Sequence, residues 1–119
     1  MRTFEFEDIR AHCLKKRHVT EAFPFDESTC VWKVDGKLFA LADIDVFQGI
    51  TIKCEPERAI ELREAFEGVI PGYHTNKRHW NTIQADADVD LKHVLAWIDH
   101  SYERVVDGFS KKRRQQLGI

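Results

Sequence analysis

No apolar run in this sequence approaches the roughly 20 residues that a membrane-spanning helix needs, so no membrane partner is expected. Cysteine is also scarce: Cys13, Cys30 and Cys54 are an odd number and include no C-x-x-C pair. That usage argues against a disulfide framework. The acids in "MRTFEFEDIR", where a targeting peptide would carry basic residues, point the same way, to a reducing cytoplasm. A strong charge of either sign is missing too. Lys and Arg number 18 against 20 Asp and Glu, a formal net charge of -2, so the chain lacks the global basic field of a strong nucleic-acid binder.

The motifs of covalent and metal chemistry are equally absent. There is no G-x-S-x-G elbow, no Gly-rich phosphate loop and no H-E-x-x-H, and a non-catalytic protein is expected. Six histidines invite a metal reading, but their spacing does not support one. His93 and His100 stand seven apart on one predicted helix, about 10.5 Å along its axis, and His74 with His79 make only two ligands. The sequence therefore predicts neither metal nor cofactor.

What is present is an ordinary globular composition, 43% hydrophobic and 32% charged over 119 residues. A chain of that length forms one domain that buries roughly two thirds of its unfolded surface. Phe6, Ile9, Cys13 and Leu14 recur at helical spacing after Thr3, a candidate N-cap, and "KKRH" closes that helix with the charge its dipole favours. Asp35-Gly36 predicts a type I′ hairpin in "CVWKVDGKLFALADI", and counting from the turn sets Trp32 opposite Phe39, Cys30 opposite Leu41 and Val31 opposite Ala40. "GITIKC" alternates as a third strand. "EPERAIELREAFEG" is a helix from Pro56 to a stop at Gly68.

A Pro71-Gly72 turn then leads into "GYHTNKRHWNTI", which is read as two short strands with Thr75–Arg78 at the tip and Trp80 packed inward beneath it. Leu91, Val94, Leu95, Ile98, Tyr102, Val105, Val106 and Phe109 trace one stripe of a long helix capped by Asp88 or Asp90. Residues 1–110 are expected to form the domain. Residues 111–119, with "KKRR", are expected to be a basic tail that is mobile or a short extra helix. The whole order predicts an α+β sandwich, an antiparallel sheet with helices packed on it.

The stretch from 72 to 83 holds rings, amides and a Lys-Arg pair without an acid. Lys77 and Arg78 suit phosphates, while Asn76 and Asn81 suit phosphates or base edges. The same residues also suit ordinary structure, with Asn76 in a turn and the cations solvated.

"FPFDESTCVWKVDGKLFAL", "ITIKCEPERAIELREAFEGVIPGYHTNKRHWNTI" and "LAWIDHSYERVV" resemble the MmcQ/YjbR family of small bacterial proteins. In the most specific part, Pro71, Gly72, Tyr73, His74, Asn76, Lys77, His79, Trp80 and Asn81 match the family pattern. "KKRHV" departs from it, because many members carry a Pro-Gly turn there. The resemblance implies an α-β(3)-α-β(2)-α fold similar to type III secretion chaperones, and a double-wing surface that binds double-stranded DNA. The candidate DNA-binding residues are Lys37 at the first hairpin and Asn76, Lys77, Arg78 and His79 at the second. The alternative is a protein-interaction module, which would show an exposed apolar patch or groove. Either is expected as a monomer or weak homodimer.

Overall fold

The computed structural model describes residues 3–72 and 75–119. A six-stranded antiparallel sheet runs in the order β1-β2-β3-β4-β6-β5. Its strands are β1 (Val19–Ala22), β2 (Thr29–Val34), β3 (Lys37–Asp43), β4 (Gly49–Lys53), β5 (Val69–Pro71) and β6 (Trp80–Gln84). Among the described residues the helices are α1 (Phe6–Leu14), α2 (Pro56–Ala65), α3 (Leu91–Asp107) and α4 (Lys111–Leu117), and none is long and apolar enough to cross a membrane. The α+β sandwich is as expected, with one strand more before α2. That strand, β1, is short, lies at a sheet edge and has no buried residue, so its sequence "VTEA" carries no strong alternation of apolar and polar side chains.

One face of the sheet carries the core. Cys30, Trp32, Val34, Ala40, Ala42, Ile50, Ile52 and Ile83 project toward Ile9 and Cys13 of α1 and toward Val94, Trp97, Ile98, Val105 and Val106 of α3. The stripe of α3 also includes Trp97 and Ser101, both buried, and Phe109, expected on it, packs against the core from just past the helix end at Asp107. Asp90 is its cap, its Oδ1 accepting from the His93 N–H at 2.9 Å. Asp88 instead accepts from the N–H groups of Glu67 and Gly68, fixing the exit of α2. Thr3 does not cap α1. Glu5 occupies that position with its N–H bonded to Asp8, and Thr3 ties the start of the chain to the Ala85 carbonyl.

The hairpin turn is where the sequence sets it, with Asp35 at φ 48° and Gly36 at φ 80°. The register beyond it is not. Val34 pairs with Lys37 and Lys33 with Leu38, after which β3 holds one extra residue, so that Trp32 faces Ala40, Val31 faces Leu41 and Cys30 faces Ala42. Phe39 is the bulged residue. Its carbonyl accepts from Ser101 Oγ at 2.6 Å, and that serine oxygen in turn accepts from the Lys53 N–H at 2.8 Å. A helix hydroxyl thus replaces the ladder bond that the bulge removes.

The second stretch also differs from expectation. There is no turn at Pro71-Gly72: Pro71 pairs with Asn81, and the Gly72 N–H reaches the Trp80 carbonyl at 3.0 Å. The two strands are thus β5, upstream of Gly72, and β6. A Cβ on Gly72 would stand 2.3 Å from Thr75 Oγ1, which explains the glycine. Trp80 is not in the core. Asn81 and Ile83 take the core side of β6, and alternation leaves Trp80 half-buried on the other face with Thr82 and Gln84.

The basic segment at 111–119 forms α4, which is docked on the body. Ser110 caps it through the Arg113 N–H, and Gly118 ends it at φ 72°. Arg113 makes a bidentate pair with Asp35 at 2.7 and 2.6 Å, and Ile119 packs against the core. Arg17 and His18, read as a helix end, donate to or meet the carbonyls of Leu117 and Gly118. Removing residues 111–119 is expected to lower the thermal midpoint, with partial burial of Ile119 alone contributing about 1 kcal/mol. A midpoint unchanged by truncation would contradict this docking.

Candidate nucleic-acid interface

Antiparallel register decides which side chains meet at each end of the sheet. Lys37 opens β3, Lys53 closes β4 and Trp80 opens β6 opposite Lys53, so the Asp35-Gly36 tip and the 75–79 connection project from the same end. Lys37, Lys53 and Arg104 line one depression of about 290 Å³ there, together with Leu38, Val105, Gly108 and Phe109. Its described lining residues include no carboxylate. Arg58 and Arg104 also lie close enough to act on His100, whose pKa is lowered first by burial and then by these two cations. His100 Nε2 accepts from the Glu55 N–H at 3.3 Å, a bond that requires that nitrogen to be unprotonated.

The predicted site residues fall into two groups. Lys37 and Arg78 are exposed, and the Arg78 backbone N–H bonds Asn76 Oδ1 in the turn at 2.9 Å. Asn76, Lys77 and His79 are engaged in structure. Asn76 closes the turn through its side chain and through its carbonyl, which accepts from the His79 N–H. Lys77 Nζ folds back onto the Gly72 carbonyl. The His79 carbonyl accepts from Cys54, and its Nδ1 is enclosed without a hydrogen-bond partner among the described residues. Tyr73 and His74, part of the family-like motif, lie outside the described residues.

Two residues outside that set position the wing. Arg63 of α2 donates to the Lys77 carbonyl at 2.8 Å and to Asn81 Oδ1 at 3.2 Å, while Asn81 Nδ2 donates to the Ala59 carbonyl. Asn81, a candidate base-reading residue from sequence, is 1% exposed and serves as the joint between wing and helix. Lys53 and Arg104 were not singled out by motif. Lys53 carries a signal in its place at the end of an alternating strand, whereas Arg104 carries none, because it is placed by the buried Ser101 one turn before it, which the expected stripe does not include.

The opposite end of the sheet has the other sign. Segments 23–29, 43–49 and 84–90 carry Asp26, Glu27, Asp43, Asp45, Asp86, Asp88 and Asp90 and contain no Lys, Arg or His. A net charge near zero therefore hides a separation of charge along the strands, which composition could not reveal.

Comparison with known proteins agrees with this architecture. A crystal structure of the Deinococcus radiodurans protein DR2400, described as a DUF419 domain, superposes with a TM-score of 0.91 at 37% identity, covering 100% of this chain and 90% of that one. A Pseudomonas syringae protein shares the fold at TM-score 0.71 and 22% identity, over 85% of this chain and 98% of its own. The uncharacterised Escherichia coli proteins YbdF (O157:H7) and YjbR (K12) are each 26% identical, over 93% and 92% of this chain and 92% and 94% of theirs. The YjbR family model matches residues 14–104, which hold the hairpin, the 75–79 connection and the helix that clamps them, and the chain belongs to the YjbR family.

Proposed function

We propose that the protein binds the phosphate backbone of double-stranded DNA at the basic end of its sheet. The observation that supports this is the depression lined by Lys37, Lys53 and Arg104 with no carboxylate among its described lining residues, with exposed Arg78 on the neighbouring tip. Lys111 and Lys112 on α4 add positive charge beside the hairpin, because Arg113 fixes that helix to Asp35. Phosphate contacts position a protein on duplex DNA without reading sequence, and their affinity falls as salt rises.

Lys37→Ala with Arg78→Ala tests this reading by fluorescence anisotropy on a generic duplex. Stability should stay within about 0.5 kcal/mol, as for other surface sites. The slope of log affinity against log salt should fall in magnitude by about 1.8, roughly 0.9 for each lost phosphate contact. An affinity and slope unchanged in the double variant would remove this end of the sheet from any DNA site.

A further inference from the structure

The sheet face opposite the helices carries a row of side chains that the DNA reading does not use. Pairing aligns Ala22, Val31, Leu41, Thr51, Thr82 and Ile70 in one line across all six strands. The Thr51 and Thr82 hydroxyls bond each other at 2.7 Å, so the middle of the row carries no charge; Val31, Leu41, Thr51 and Thr82 are each 8% exposed or less and form its floor. Leu41, Thr51, Thr82 and Ile70 floor a concavity of about 370 Å³ whose wall includes Val46 and Asp43.

At the acidic end of this face, large apolar side chains stand in solvent: Phe25 is 67% exposed, Val46 63%, Ile44 44% and Phe23 42%. The loops that hold them are well bonded. Asp26 accepts from the N–H groups of Ser28 and Thr29, and Asp43 from those of Asp45 and Val46. The Ile44 N–H bonds the Ser28 carbonyl, and Ser28 Oγ bonds Asp43, which joins the two loops into one rim. The backbone donors at Thr29 and Ser28 hold the Asp26 carboxyl below its usual range, so it stays ionised. Exposed rings on ordered loops, surrounded by acids, form an uncommon surface for a monomer.

We infer that this rim and the concavity beside it dock a cationic amphipathic segment of a partner protein, its apolar side chains on Phe25, Val46 and the Leu41 row and its Lys or Arg side chains toward Asp26, Glu27, Asp43 and Asp45. Charge complementarity selects this occupant. Seven carboxylates and no cation across the three segments at this end repel acidic chains and phosphates alike, and steer basic ones inward. The site lies at the opposite end of the sheet from the proposed DNA surface, so the two can be tested separately.

The probe is a short labelled peptide of alternating leucine and lysine, with leucine-glutamate and serine-lysine counterparts, titrated with the full chain. The leucine-lysine peptide should bind and both counterparts should bind at least about tenfold more weakly. Phe25→Ser with Val46→Ser should weaken it by about tenfold or more while thermal melting stays unchanged. Glu27→Gln with Asp45→Asn, side chains outside the loop bonding, should weaken it and reduce its salt dependence. Equal binding of the leucine-glutamate peptide, or an affinity indifferent to either double variant, would overturn the inference. So would concentration-dependent self-association that Phe25→Ser and Val46→Ser abolish, since the occupant would then be a second copy of this chain.

Discussion

Trp32→Ala is expected to lower the unfolding free energy by about 3–5 kcal/mol, the range for removing a fully buried aromatic ring. Trp32 is 0% exposed, packs beside Phe6 with ring centroids 5.8 Å apart, and sits at the centre of the helix-facing side of the sheet. Its indole N–H donates to Glu21 Oε1 at 3.1 Å, and the same carboxylate receives Arg10 through Nε at 2.8 Å and Nη2 at 3.2 Å. Losing the ring therefore also strips a partner from an edge-strand carboxylate. Arg10 first, and Trp32 with it, hold the Glu21 pKa below its usual value. A depressed carboxyl pKa stabilises the fold above the unfolded-state value, and that contribution disappears as pH falls through the folded-state value. Acid titration of Glu21→Gln should accordingly show a flatter loss of stability on the acid side, and an unchanged acid limb would assign the effect to other carboxylates.

Ser101→Ala should cost about 2–4 kcal/mol, although it deletes a single oxygen. That oxygen is 0% exposed and serves the Phe39 carbonyl and the Lys53 N–H at once, so two buried backbone groups lose their partner at roughly 1–3 kcal/mol each. The urea midpoint should drop with little change in the slope of the transition. A midpoint within error of the parent would mean that the bulge finds another donor, and the account of why β3 tolerates its extra residue would fail.

The same bulge marks where the sequence stopped being legible. Turn chemistry at Asp35-Gly36 dictates the pairs next to the turn, Val34 with Lys37 and Lys33 with Leu38, whereas the expected pairs Trp32–Phe39, Val31–Ala40 and Cys30–Leu41 are each displaced by one residue. The slip after Lys33 depends on a hydroxyl 62 residues away, and no local pattern encodes such a contact. Trp80, expected in the core, lies outside it for a related reason. Parity on β6 is set by its pairing with β4, which puts Ile83 against Ile50 and leaves the tryptophan on the far side. Helices with strong periodicity were read to within a few residues, whereas α4 depends on Arg113 reaching Asp35 and on Arg17 and His18 holding its last carbonyls. The candidate site divides in the same way. Lys37 and Arg78 are legible by type and place, but the depression that Lys37 lines together with Lys53 and Arg104 exists only after the strands are in register.

The three cysteines are all free and enclosed, Cys13 and Cys30 at 0% and Cys54 at 4% exposure. Burial pushes each thiol up, Cys30 to about 12, so almost no thiolate is present at neutral pH while the chain is folded. Alkylation can then proceed only after the local structure opens, and its rate becomes a clock for that opening. Because Cys13 lies in α1, Cys30 in β2 and Cys54 just past β4, mass-resolved labelling of single-cysteine variants would time the release of helix, central hairpin and basic end separately, without any added probe group.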